Sequence, residues 1–314
     1  MEDAELLYVS DCPETFNEHG ILFRASLPQD GRVARLLFDH VNGTSAPMRL
    51  LVGIVSGGKL AGSITTLGGT GGPDGNFIAV GHAATLRFIQ LRETGSSRND
   101  SVNINDTVML ADMTLRPTEC AAGIFDIAGD GSEYSVVVAA CDPSNDSASV
   151  FGKLPPSDDD GKSRRGVFDI TGSAVAKPVT YAGACVTFEF GNECFPRTNL
   201  DPYKGPEHKG EYAVLRRFEC SVSGTGPVSL YQSARAGEST ATYVVNGKVL
   251  ASHAIPAGPR SKIATFTLVA GQPQQIMLET MAEANSSYPF ELSLDADDPQ
   301  LADAGTGNSP VYQA

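Results

Sequence analysis

Apolar residues in this chain recur in short blocks and not in long helical stripes. Met48–Val55, Ser135–Ala140, Ala182–Phe190 and Lys262–Val269 alternate with polar residues or run apolar over strand-like lengths. Clusters of Gly, Pro, Asn and Asp punctuate them at the spacing of a sandwich. One stretch departs from this rhythm: over residues 81–93, Ala84, Phe88 and Leu91 share one helical face, which predicts a helix.

Two matched segments predict a duplication. Arg35–Leu50 has an echo in Arg217–Leu230, each placing Phe (Phe38, Phe218) ahead of a Gly-Thr turn and an apolar strand. Further on, Pro117, Ala122, Ile124, Ile127 and Ala128-Gly129 align with Pro259, Ala264, Phe266, Val269 and Ala270-Gly271. The expected fold is therefore all-β, two tandem, internally duplicated antiparallel β-sandwich domains of Greek-key or jelly-roll type. Domain one takes residues 1–153 with the helix inserted, and a Pro- and Asp-rich linker takes 154–164. Domain two takes 165–298, and 299–314 forms a small, polar, loosely held tail.

Composition narrows the function classes. The chain has 314 residues, a formal charge of −14, 33 Gly, 19 Pro and no Trp. An acidic surface repels phosphate, which argues against nucleic acid and anionic membranes as partners. No apolar run is long enough to cross a bilayer. Met1-Glu2-Asp3-Ala4 is acidic where a signal peptide is basic, so the chain is expected either to stay inside the cell or to begin at a processed or engineered end.

The six cysteines contain no C-x-x-C pair and the five histidines are scattered, which disfavours zinc. Asp130-Gly131 between two apolar runs reads as a two-residue hairpin turn. In that register Cys120 faces Cys141 at a non-hydrogen-bonded site, where Cα atoms are about 4.5 Å apart and a disulfide fits. Such a bridge would stabilise by roughly 3 kcal/mol. Two small buried thiols fit the same residues.

Motifs for catalysis are missing at the local level. The Gly-rich run Leu67–Asn76 lacks the Lys of a nucleotide loop and reads as a mobile surface loop. Gly161-Lys162-Ser163 fails the phosphate-loop pattern because Pro156 stands where the first Gly is needed. No G-x-S-x-G occurs. No catalytic residue and no cofactor is assigned, except calcium, whose oxygen ligands sandwich loops often supply. Its candidates are Asp100, Asn103, Asn105 and Asp106, then Asp142, Asn145 and Asp146, with Asp158–Asp160 and Asp295–Asp298 as further clusters; solvated acidic loops read the same way. Asn42, Asn99, Asn105, Asn145 and Asn285 head N-x-S/T triplets, which also arise from turn chemistry.

Leu7–Glu14, Gly20–Phe23 and Ala34–Thr44 resemble a β-rich region of bacterial, largely Firmicute, cell-surface proteins, one that often accompanies a stalk module named after the N-terminal domain of copper amine oxidase. The resemblance extends faintly through 81–93, Arg165–Phe168 and His208–Tyr212. It implies an exported, envelope-associated protein of undefined activity, with no catalytic residues to carry over. The expected role is a non-enzymatic extracellular structural subunit, a homo-oligomer or polymer forming a layer, sheath or filament by strand addition. A cell-wall glycan-binding module, stacking sugars on Tyr203, Tyr212, Tyr231 or Tyr243, is the alternative, and a hydrolase with a site assembled from distant residues is the third.

Overall fold

The computed structural model describes residues 1–57, 61–145, 147–161, 164–203, 205–252 and 254–301. They form two compact units, the first from Met1–Thr171 with Phe195–His208, the second from Gly172–Cys194 with the chain from Lys209 onward.

Unit 1 contains β1 (Leu6–Asp11), β2 (Thr15–Phe16), β3 (Gly20–Ser26), β4 (Ala34–Asn42), β5 (Met48–Ser56), β6 (Gly62–Asp74), α1 (Phe77–Glu93), β7 (Arg98–Val102), β8 (Thr107–Leu115), β9 (Cys120–Gly129), β10 (Tyr134–Cys141), α2 (Ser147–Lys153) and β11 (Arg164–Asp169). One sheet runs β11-β1-β4-β9-β6-β7 with β2 also on β4, and the other runs β3-β10-β5-β8. Period-two alternation turns Leu36 and Phe38 of β4 toward Leu50, Val52 and Ile54 of β5, with Val136 and Val138 of β10 in the same core. Each such fully buried side chain contributes about 2 kcal/mol.

Unit 2 contains β12 (Lys177–Tyr181), β13 (Val186–Phe190), β16 (Leu215–Val222), β17 (Gly226–Ala234), β18 (Thr242–Val245), β19 (Lys248–Ala251), β20 (Arg260–Leu268), β21 (Gln274–Met281) and β22 (Phe290–Ala296), while the two-residue strands β14 (Cys194–Phe195) and β15 (His208–Lys209) fall where the chain passes from one range to the other. Its sheets run β12-β16-β21-β18-β19 and β13-β22-β17-β20. Phe218, Cys220 and Val222 pack with Val228, Leu230, Leu292 and Leu294 between them.

The two units share one topology. Strand for strand and in chain order, β1, β3 and β4–β10 occupy the places of β12, β13 and β16–β22. Each sandwich has a parallel pair at the same position, β1 with β4 and β12 with β16; the two-residue β2 is also parallel to β4, and the other strand pairs of the two sandwiches are antiparallel. Phe38 and Phe218 lie on equivalent strands, β4 and β16. The second sequence match is one strand out of step, because Ala264–Leu268 lies in β20, the counterpart of β8, while β9 corresponds to β21. Alternation looks the same in every half-buried strand, so a short match slides between neighbours.

Three further expectations change. Asp130-Gly131 does not close a hairpin: β9 pairs with β4 and β6 while β10 pairs with β3 and β5, so the turn carries the chain between sheets, with Gly131 at φ 93°. Cys120 faces Val41 and Cys141 faces Arg49; the paired register that brought the two cysteines together does not exist, and all six cysteines are free thiols. The second change is the domain boundary. The linker residues Pro155–Ser157 bond β3, and β11, expected in domain two, adds to β1 with Val167 in the first core.

The third concerns the Gly-rich run, which is strand β6 and not a mobile loop. Helix α1 begins four residues before the predicted 81, capped by Asn76, whose side chain accepts from the Ala79 N–H at 3.2 Å. Its buried face, Val80, Ala84, Phe88 and Ile89, lies on β6 and β9. A Cβ on Gly69 would stand 2.4 Å from the Phe88 nitrogen, and one on Gly71 2.0 Å from the Val80 carbonyl oxygen. Beneath the helix, buried Arg35 grips Asp126 with two hydrogen bonds of 2.7 and 2.9 Å, its guanidinium 4.9 Å from the Phe88 ring. The sequence showed no sign of α2, which is too short to display a helical stripe; Val150 and Phe151 cover the outer face of β10 and β5 at Val137, Ala139 and Leu51.

Gly71→Ala is expected to lower stability by about 3 kcal/mol, read by thermal and urea denaturation, because the helix backbone cannot yield to the new methyl. A stability equal to wild type would show that the helix does not sit on these glycines. Thiol labelling of the native chain is expected to modify exposed Cys185 and Cys194 quickly, and Cys12, Cys120, Cys141 and Cys220 only on unfolding.

Candidate functional site

The candidate calcium ligands serve their own turns. Asp100 accepts from Arg98 Nε at 2.6 Å, and Asp106 caps Thr107 N–H at 2.8 Å and accepts from Asn103 at 3.4 Å; Asn105 holds a left-handed φ of 58°. Asp142 accepts from the Ser144 N–H at 2.8 Å and its hydroxyl at 2.5 Å, while the Asn145 carbonyl is taken by Arg49 at 2.9 Å. Asp146 lies outside the described residues. Asp295 and Asp297 pair with Arg260 and Lys262.

Among the described residues, one trio of potential ligand atoms lies within 4.8 Å of one another: Cys12, Asp159 and Asp160. The Cys12 thiol donates to Asp159 Oδ1 at 3.2 Å, and Asp160 accepts the Glu14 N–H at 3.2 Å. A cavity of about 250 Å³ opens beside them between Pro13–Glu18 and Ser157–Asp160. Sulfur beside carboxylate does not suit calcium, which takes oxygen alone. Burial pushes the Cys12 thiol up to about 12, so any ion bound there must first displace a tightly held proton. Burial, then Asp39 and Glu14, also raise the nearby Asp11 carboxyl well above its usual range.

Below this cleft lies a pair that sequence reasoning missed. His40 Nδ1 donates to the Pro13 carbonyl at 2.9 Å, which leaves Nε2 to accept from the Ser10 hydroxyl at 2.8 Å. The spacing of thirty residues gave no local signal. The geometry is that of a nucleophile and its base, with a carbonyl in place of the orienting carboxylate. Both residues are 0 % exposed, however, so no substrate reaches the hydroxyl, and the pair joins β1 to β4. The tyrosines expected to stack sugars are likewise occupied: Tyr231 and Tyr243 are fully buried, Tyr203 stacks on Arg165 and Phe23, and half-buried Tyr212 packs on Tyr288.

The units differ at their sheet edges. In unit 1 the β1 edge is filled by β11, and β11 is itself covered by Pro196–Thr198, through Asp169 N–H to Pro196 and Thr198 N–H to Val167, both 2.9 Å. The β3 edge is taken by Pro155–Ser157, with Ile21 bonded at 2.8 and 2.9 Å, and by the Tyr203 hydroxyl, which meets both backbone groups of Arg24 at 2.7 and 3.2 Å. In unit 2 the equivalents β12 and β13 each have one strand neighbour among the described residues, β16 and β22. A corner at 182–185 joins them, so both open edges lie along one side of that sandwich. Lys177, Pro178 and Thr180 of β12 and Thr187 and Glu189 of β13 are exposed. On the other side, β8 and β20 each carry a bulge of their own, the extra residue being Leu110 opposite Val52/Gly53 and Ile263 opposite Leu230/Tyr231. Bulges twist an edge away from pairing.

No family model and no curated protein matches the chain. Among solved structures, an insecticidal crystal protein, Cry2Aa, is 13 % identical over 54 % of this chain and 27 % of its own, with a TM-score of 0.24. Lac15 from a marine microbial metagenome is 11 % identical over 88 % of this chain and 56 % of its own, with a TM-score of 0.17. The tandem CBM22 domains of Paenibacillus barcinonensis Xyn10C are 11 % identical over 90 % and 99 %, with a TM-score of 0.14. The chain spans only about a quarter and a half of the first two, and likeness at these TM-scores carries no functional argument.

Burial pushes His40 down to about 4 and His208 to about 3, from an ordinary 6.5. As pH falls, the unfolded chain takes up these protons first, so stability is expected to decline from about pH 6.5, the His40 contribution ending as that group titrates near 4 and the His208 contribution near 3. Urea midpoints measured across that window should fall, and His40→Gln should flatten the slope while lowering the baseline. An unchanged slope would mean that His40 does not bear on acid stability.

Proposed function

We propose that this protein is a non-enzymatic structural subunit of the cell surface or extracellular space whose copies join by β-strand addition. The observation that carries the reading is an asymmetry between two sandwiches of the same strand order: among the described residues, one side is sealed in unit 1 and open in unit 2. An open edge presents a row of N–H and C=O groups ready to template another strand. Lys177 and Pro178 at the start of β12 keep the edge from pairing indiscriminately. The surface location rests on the sequence resemblance, and the buried Ser10–His40 pair fits a structural role better than a hydrolytic one.

A groove supports a second reading, glycan binding. Gly69, Thr70, Arg87, Gln90, Leu91 and Thr94 line about 410 Å³ beside α1, and hydroxyl, amide and guanidinium groups over an apolar floor suit a sugar.

Sedimentation of the wild-type chain is expected to show mass rising with concentration. Lysine at both exposed edge positions, Thr180→Lys with Thr187→Lys, should weaken association by roughly tenfold or more without loss of thermal stability. A wild-type chain that stays monomeric at every concentration sinks the assembly reading, and binding on a glycan array would then favour the second.

A further inference from the structure

A second cavity, of about 320 Å³, adjoins the groove beside α1, shares Gly68, Thr70 and Leu91 with it, and extends to Thr66, Arg98 and Phe125. Joined, the two have room for more than one sugar ring. One wall is a single face of α1, since Arg87, Gln90, Leu91 and Thr94 recur at i, i+3, i+4 and i+7. The other is the outward edge of β6. Strand β7 pairs with β6 only from Gly62 to Thr66, so at Gly68 and Thr70 no strand stands beside that edge among the described residues. Arg87 Nη1 donates to the Thr70 carbonyl at 2.8 Å, which shows that carbonyl pointing outward. Alternation along a strand turns the N–H and C=O of Gly68 the same way.

Two side chains in the groove have bonds left to make. Thr66 is only 4 % exposed and lines the cavity, and its hydroxyl has no hydrogen bond among the described residues. Arg87 makes no ion pair among the described residues, and beyond the one N–H given to Thr70 its guanidinium fork is uncommitted. Arg98, by contrast, is held by Asp100 at 2.6 Å and by the Met109 carbonyl at 3.1 Å. No Asp or Glu lines either cavity, in a chain that carries 37 of them and a formal charge of −14. The groove is therefore a cationic place on an acidic protein. An open guanidinium fork matches a planar carboxylate, which it binds through two parallel N–H donors.

We propose that this groove binds an acidic saccharide, with a uronate carboxylate on Arg87 and sugar hydroxyls on Thr66 and on the outward backbone of Gly68. This rests on the glycan-binding reading and names its ligand class. Leu91 and Phe125 supply an apolar floor for the C–H face of a sugar ring. A Cβ on Gly68 would stand 1.9 Å from the Phe125 ring, so only glycine brings that backbone and that ring together. All of these residues belong to unit 1 and none to the open edge of unit 2, so the site stands whether or not copies assemble.

The full-length chain is tested on an array of uronate-containing oligosaccharides, each beside its carboxyl-reduced neutral form, together with sulfated glycans. At least one uronate glycan is expected to bind roughly tenfold more tightly than its reduced partner. Titration calorimetry on that pair should show Arg87→Gln abolishing the preference, with the affinity for the reduced form and the melting temperature unchanged. Arg87→Lys, which keeps the charge and loses the fork, should retain part of it, and Thr66→Val should weaken both forms alike. Equal binding of acidic and reduced partners, or sulfated glycans bound in place of uronates, would overturn the carboxylate and leave the glycan-binding reading standing. A uronate preference that survives Arg87→Gln, or binding indifferent to Thr66→Val, would overturn the assignment to this groove. An array with no glycan bound would overturn the glycan-binding reading itself.

Discussion

An edge strand leaves a row of backbone donors and acceptors without protein partners, and the two halves of this molecule are best understood by how each answers that constraint. The sandwiches repeat each other strand for strand, so their cores pose the same packing problem and solve it alike. What separates them is the treatment of one side. Unit 1 spends β11, Pro155–Ser157, Pro196–Thr198 and the Tyr203 hydroxyl on closing it. Unit 2 leaves β12 and β13 with single neighbours among the described residues. Because the strand order repeats, that contrast and the two helices of unit 1 are what distinguish the halves.

The decoration of unit 1 follows from a second constraint, close approach. An α-helix resting on a sheet at backbone distance requires that the strand beneath it present no side chains, and Gly69 and Gly71 meet that requirement against Phe88 and Val80. The outer face of the same sheet buries Arg35 and Asp126, whose two hydrogen bonds satisfy charges that would otherwise be costly to remove from water. Unit 2 has no equivalent, since β18 and β19 are joined by a tight turn at Asn246-Gly247, both left-handed.

Burial also governs the polar chemistry. The Ser10–His40 pair has the distances of a catalytic dyad and the accessibility of a core residue; accessibility decides. Cys12, Asp159 and Asp160 converge because the 157–161 segment returns to β1, a closure that links residues 147 positions apart.

From the sequence alone, period-two alternation and turn chemistry determined the all-β class, and a local echo placed Phe38 and Phe218 on equivalent strands. The 3.6-residue period of Ala84 and Phe88 located the helix, since amphipathic periodicity is a property of neighbouring residues. Only the tertiary structure decided which strands pair. Asp130-Gly131 has the composition of a hairpin turn, yet the apolar faces of both β9 and β10 had to be buried on different sheets, so Cys120 and Cys141 part. The Gly-rich run reads as a loop until the helix that needs its bare backbone is set upon it. Likewise the sealed and open edges are invisible in composition, because an edge is defined by what fails to lie beside a strand. That is a relation between distant segments, which pattern along one chain does not encode.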